Sequence, residues 1–205
     1  MPFGMVSDNQ YELPEESTIK ASSDVQLNLY TMYFASQNSS AGGDGYITTQ
    51  VPESGGQESM SALDSSIEFR TSPMLSSLDV AGRPNHGSGS GSYYLPLGLF
   101  MRATGPDTST VEWTITLKSS GSQVGSVSWS TDACNPGITQ SCSFDHETFE
   151  IDLGNNQRFT IDKDERLVLI VDADMSGCDS GGSPFGSSCE AEVAWNEIDG
   201  DDRFS

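Results

Sequence analysis

From Val111 to Lys118 the chain alternates, with Val, Trp, Ile and Leu at the odd positions and Glu, Thr, Thr and Lys at the even ones. Successive side chains of an extended backbone point to opposite faces. This period of two therefore predicts a strand with one face on a core and the other in water. Upstream, Tyr93 to Met101 is apolar almost throughout and predicts a strand covered on both sides, with Pro96 limiting its pairing. Thr104-Gly105-Pro106-Asp107-Thr108 holds chain-reversing residues, and Gly121-Ser122-Gln123 turns the chain into Val124 to Trp129. Together these predict an antiparallel meander of three strands.

The same reading extends along the chain. Val25, Leu27 and Leu29 alternate with Gln26 and Asn28, and this strand is expected to run on through Tyr30, Met32, Tyr33 and Phe34. Tyr46 to Thr49 and Ile67 to Arg70 predict short strands, with a Gly, Glu and Ser loop at Pro52 to Ser61. Phe149, Ile151 and Leu153 alternate with Glu150 and Asp152. Leu167, Leu169, Val171 and Ala173 share one face, and Val168, Ile170, Asp172 and Asp174 the other, so this strand is central at its start and wet at its end. Ala191, Val193 and Trp195 close the pattern against polar Glu190, Glu192 and Asn196. No stretch predicts a helix of two or more turns. The expected fold is all-β, an antiparallel sandwich of jelly-roll type. A length of 205 residues suits one such domain, over 24–197, after a polar strap or arm at 1–23 and before an acidic tail at 198–205.

A resemblance enters at Ile67 to Gly82. A short strand, Thr71-Ser72-Pro73, the apolar pair Met74-Leu75 and then Leu78-Asp79-Val80-Ala81-Gly82 resemble the opening of galactose-binding-like jelly-roll modules, including the C-terminal domain of X-Pro dipeptidyl peptidases and related esterases. Arg158 to Ile161 followed by Leu167 to Val171 resembles the closing strand pair of those modules, although Lys163-Asp164-Glu165 stands where they usually carry a Gly turn. The resemblance implies an accessory, noncatalytic domain. The excess of Asp, the scarcity of Lys and the terminal Asp-Gly-Asp-Asp run also resemble secreted or surface proteins of marine and salt-loving archaea.

Composition narrows the partners. Thirty Asp and Glu against nine Lys and Arg give a formal net charge of -21. Nucleic acid is disfavoured, because phosphate binding needs a basic face. A cation, a basic protein or a saline medium that screens self-repulsion suits such a surface better. No run of about 18 apolar residues is available to cross a bilayer. The opening Met1-Pro2-Phe3-Gly4-Met5 lacks the basic and apolar regions of a secretion signal, so an exported form is expected to have had its signal removed.

Cys134 and Cys142 bracket a loop with Asn135-Pro136-Gly137, and Cys178 and Cys189 bracket a second Gly-rich loop. Pairing within each loop is favoured, since short Gly and Pro loops bring their ends together easily. Two local disulfides predict an extracellular or cell-surface location. A four-cysteine zinc site would need closer spacings than these. Trp129 to Phe149 is read as a surface excursion around the first disulfide.

Candidate chemistry is sparse. His86 lies in a Gly and Ser run, both it and His146 are read as solvated loop histidines, and no Gly-x-Ser-x-Gly elbow accompanies them, so no catalytic residue is expected. Calcium is the candidate ion: Asp172, Asp174 and Asp179 supply hard oxygen ligands at a strand end and the start of a Gly-rich loop, and Asp44 between glycines is a further candidate. Asn38-Ser39-Ser40 is a glycosylation sequon. Trp113, Trp129 and Trp195 are in phase with apolar neighbours and belong to the core, which leaves Tyr93 and Tyr46, beside loops, as the ligand-binding platform. The reading is a noncatalytic surface module that binds carbohydrate or a surface protein. The alternatives are a structural or adhesive subunit that self-assembles, with the N-terminal arm donating a strand, and an accessory domain of a secreted hydrolase.

Overall fold

The structure, a computed structural model, describes residues 18–20, 26–28, 32–36, 44–48, 56–60, 64–84, 92–105, 109–135, 142–176 and 189–195. Its centre is the hairpin of β10 (Thr110–Ser119) and β11 (Ser122–Asp132), which pairs Trp113 with Trp129. Ser120 and Gly121 have φ of 50° and 78°, the two left-handed central residues of a type I′ turn, whose twist matches that of its strands. β14 (Leu167–Asp174) pairs with the other edge of β10, followed by β6 (Asp64–Arg70), β4 (Gly45–Thr48) and β3 (Tyr33–Ser36). β12 (Asp145–Asp152), β9 (Tyr93–Thr104), β15 (Glu190–Trp195) and β5 (Gly56–Met60) make the second layer, with β8 (Arg83–Pro84) beside the start of β9.

The two layers form one sheet that curls back on itself, an all-β, antiparallel sandwich of jelly-roll type. β11 and β12 share only the pair Ser126 and Asp152, and there the sheet folds over. Alternation fills the space between: Trp113, Ile115 and Leu117 of β10 and Leu169 and Val171 of β14 join Leu95, Leu99 and Met101 of β9 and Phe149 and Ile151 of β12 in one buried cluster. The Trp129 ring stacks on Trp113 at 5.9 Å and 7°, and touches Phe149 of the opposite layer at 4.1 Å. The Trp113 indole N–H donates to the Thr131 hydroxyl at 2.8 Å. Two small ladders flank the sandwich, β1 (Thr18–Lys20) with β2 (Gln26–Asn28) and β7 (Leu78–Ala81) with β13 (Arg158–Ile161).

Several expectations give way. The strands at 93–104 and 110–119 do not form a meander. Gly105 is packed beside Cys189 and Ala133, and the connection it opens carries the chain from one layer to the other, so β9 pairs with β12 and β15 instead. The pair expected at 158–161 and 167–171 is also not formed, because β13 takes β7 as its partner while β14 is held between β10 and β6. The loop expected at 52–61 contains β5, a sheet-edge strand whose sequence lacks an apolar face. The strand expected from Val25 to Phe34 is two strands, β2 and β3, and the polar 1–23 segment contributes β1. β4 runs parallel to β6, pairing Gly45 with Phe69; among the described residues the other named strand pairings are antiparallel.

Pro96 limits pairing as its missing N–H requires. One edge of β9 is paired with β12 throughout 94–101, while the other is divided, with β8 at Tyr93 and Tyr94 and β15 from Phe100 to Thr104. Glu192, read as a solvated position, is only 5% exposed. Its carboxylate accepts from Arg102 Nε across the β9–β15 ladder, and Arg102 also donates to the Cys142 carbonyl at 3.0 Å and lies over the Phe144 ring at 4.3 Å. This one guanidinium therefore ties the first disulfide loop to the sheet. Cys134 and Cys142 are bonded, and Cys134 is itself anchored, its N–H donating to Ala103 O at 2.8 Å and its carbonyl accepting from Gly105 N at 3.0 Å.

Breaking a buried pair leaves an uncompensated charge. Glu192→Ala should lower stability by roughly 2–3 kcal/mol, towards the low end for such pairs because Arg102 keeps some solvent, as read by urea unfolding. The Cys134–Cys142 link closes a loop with a sequence separation of 8. Replacing both cysteines with serine should cost about 2–3 kcal/mol in the same measurement, by the loop-closure relation.

Candidate functional site

Tyr93 and Tyr94 open β9 where four short elements converge. Period two points Leu95, Leu99, Met101 and Ala103 inward, and Tyr93 shares their phase, half-buried against the core. Its N–H donates to Gly154 O at 2.9 Å, its carbonyl accepts from Leu153 N at 2.8 Å, and its hydroxyl accepts from the Gln157 amide at 2.6 Å. Gly82 makes this junction sterically feasible. A Cβ there would lie 2.7 Å from Leu153 Cδ1 and 3.0 Å from Tyr93 Cβ, so only glycine lets the chain from β7 to β8 approach, with its N–H donating to Gln157 O at 2.9 Å. Asp152 Oδ1 accepts from Gly154 N at 2.7 Å and fixes the turn after β12.

Tyr94 takes the opposite phase and faces outward. It is paired directly with Arg83 on β8 and with Asp152 on β12, and directly opposed residues of antiparallel strands share a face. Arg83, Tyr94 and Asp152 therefore form a row across the outer surface, a half-buried ring between an exposed guanidinium and an exposed carboxylate. A flat ring presents an apolar face and its neighbours present donors and acceptors, which together suit a polyhydroxylated ligand. Tyr93, the platform residue expected from the sequence, lies on the inner face, and Tyr94 is the tyrosine on the outer one. The missed signal is the inward phase of Leu95, Leu97, Leu99 and Met101, which sets Tyr94 on the other face.

The remaining candidates lie apart. Tyr46 belongs to the other layer, half-buried, with its hydroxyl 3.3 Å from Ser72 Oγ, so the two predicted platform tyrosines share no face. Asp172 and Asp174 do share a face of β14, opposite Thr114 and Glu112 on β10. Asp44 sits beyond β6, where its carboxylate accepts from Glu68 N at 2.9 Å and its own N–H donates to Glu68 O at 2.8 Å. Asp174 is exposed, and its carboxylate accepts from Ser176 N at 2.8 Å, which holds its pKa below the ordinary 3.8. Among the described residues no group of three or more His, Cys, Asp or Glu is placed to hold a metal ion. Asp179, Asn38, His86 and Cys178 lie outside the described residues; Cys189 is disulfide-bonded. His146 is exposed on β12 with its ring 4.8 Å from Phe100, and burial lowers its pKa.

No family model matches the chain, and no curated protein matches it. Among solved structures it is similar to an α-amino acid ester hydrolase labelled with selenomethionine, with a TM-score of 0.48 and 10% identity over 80% of this chain and 34% of that one. The chain thus spans about a third of the length of that enzyme.

The Asp174 contact gives a sign for pH dependence. A carboxylate whose folded pKa is depressed contributes stability that is present above the unfolded value, here 3.8, and is lost as acid takes the pH through the folded pKa. Carboxyl titration followed by NMR should place Asp174 below 3.8, and Ser176→Pro, which removes the donor, should return it towards that value.

Proposed function

We propose that the chain is a noncatalytic β-sandwich module that works outside the cell and binds carbohydrate on the outer face of the β8–β9–β12 sheet. The observation that carries this reading is the row of Arg83, Tyr94 and Asp152, with a half-buried ring at its centre and polar groups of both signs at its sides. Tyr93, Gly82 and Gln157 form the base beneath it and hold the strands that carry the row. The base is rigid because it is built from backbone hydrogen bonds between β-elements, so little freedom is lost when a ligand settles on it. The Cys134–Cys142 disulfide supports an oxidising location.

A glycan array probed with the intact chain tests the reading. Binding is expected, and Tyr94→Ala should weaken it about tenfold or more, since loss of an aromatic face commonly costs that much. Tyr46→Ala, in the other layer, should leave it unchanged. Binding that persists in Tyr94→Ala, or an array without any bound glycan, overturns the proposal.

A further inference from the structure

Three arginines of this acidic chain are occupied close to home. Arg70 pairs with Glu68, Arg102 with Glu192, and Arg166 donates to the Thr71 carbonyl at 3.1 Å. Arg83 and Arg158 differ. Both are exposed, and among the described residues neither side chain makes an ion pair or hydrogen bond. They are also neighbours. Arg158 pairs with Ala81, and the Gly82 to Gln157 backbone bond continues that ladder, so Arg83 stands diagonally across from Arg158. Gly82 directs its missing side chain inward at Leu153 and Tyr93, so the residues on either side of it, Ala81 and Arg83, face out with Arg158.

Two like charges held in diagonal register repel each other, and Asp79, the acid diagonal to Arg158 on its other side, accepts from the Thr160 hydroxyl. An anion held between them removes the repulsion. A guanidinium supplies paired N–H donors in a fork that matches a carboxylate or a sulfate ester. We infer that Arg83 and Arg158 form an anion clamp beside Tyr94, and that the ligand is an acidic carbohydrate carrying a uronate or sulfate group. This rests on the reading that Tyr94 holds a sugar ring. It adds the charge of that sugar and the two residues that select it. The geometry places Arg83 next to the ring and Arg158 one strand further out, so the acidic group extends from the stacked sugar towards β13.

The test measures binding of three oligosaccharides to the intact chain by calorimetry: a uronate-containing one, its neutral counterpart with the carboxylates reduced, and a sulfated one. The acidic ligands should bind at least tenfold more tightly than the neutral one at low salt, and the difference should shrink as salt rises. Arg158→Gln should abolish most of that preference while leaving neutral-sugar affinity in place, Arg83→Gln should abolish it and also weaken the neutral sugar, and Tyr94→Ala should weaken all three. The relative strength of uronate and sulfate identifies which anion the clamp takes. Equal binding of neutral and acidic sugars, or an acidic preference that survives both arginine substitutions, overturns the clamp and leaves the Tyr94 reading standing. A preference that is lost on arginine substitution but indifferent to Tyr94→Ala supports the clamp and overturns the ring platform. Absence of binding to all three overturns both.

Discussion

The fold depends on how two sheet layers that share one residue pair are kept in register. Ser126 and Asp152 join β11 to β12, and beyond them these two strands separate, so the β11–β12 ladder alone does not fix the distance between the layers. The stack of Trp113, Trp129 and Phe149 fixes it. Large rings lose little freedom on burial and prefer offset or tilted contacts, and this stack sets one separation where smaller aliphatic side chains would accept several. With that distance set, β12 delivers Asp152 to the edge where β9 brings Tyr94. The row on the surface follows from the register of β8, β9 and β12 within that second layer.

The acidity of the chain has a second effect on the site. With so few cations, each one is informative. Arg70 is absorbed by Glu68 on its own strand and Arg102 by Glu192 on the neighbouring strand β15, and Arg102 binds its disulfide loop as well. The exposed acids around them give the surface its negative potential, which keeps molecules apart at low ionic strength. Against that background the exposed arginine pair adds positive charge to a face that also carries Asp79 and Asp152, and short-range forked hydrogen bonds at such a point act where the long-range field is unfavourable.

Much of the fold was legible in the alternation of Val111 to Lys118 and Leu167 to Asp174, because a strand buried on one face writes its period into the sequence. The β10–β11 turn was legible for a similar reason, since a left-handed turn demands Gly121. Pairing partners were not. Tyr93 to Met101 is equally apolar whether it lies beside β10 or beside β12, so its pattern does not name its partner. β5 was hidden because Gly56-Gln57-Glu58-Ser59-Met60 has no apolar face and takes its order from β15. At the candidate site, Tyr93 was visible as an aromatic beside a loop, but the partners of Tyr94 come from Arg83 and Asp152, which sequence distance separates and register alone unites.

The pairing of β6 with β14 bears on how the chain is made. Ile67 finds its partner in Val171, more than a hundred positions later, and β4 and β3 depend in turn on β6. Contacts so distant in sequence form slowly, because a long loop must close before any hydrogen bond rewards it. During synthesis the strands at 33–36, 45–48 and 64–70 emerge well before the strand that joins them to the core. For that interval a strand edge lacks its partner, and the like charge of the surrounding chain opposes its pairing with a second copy.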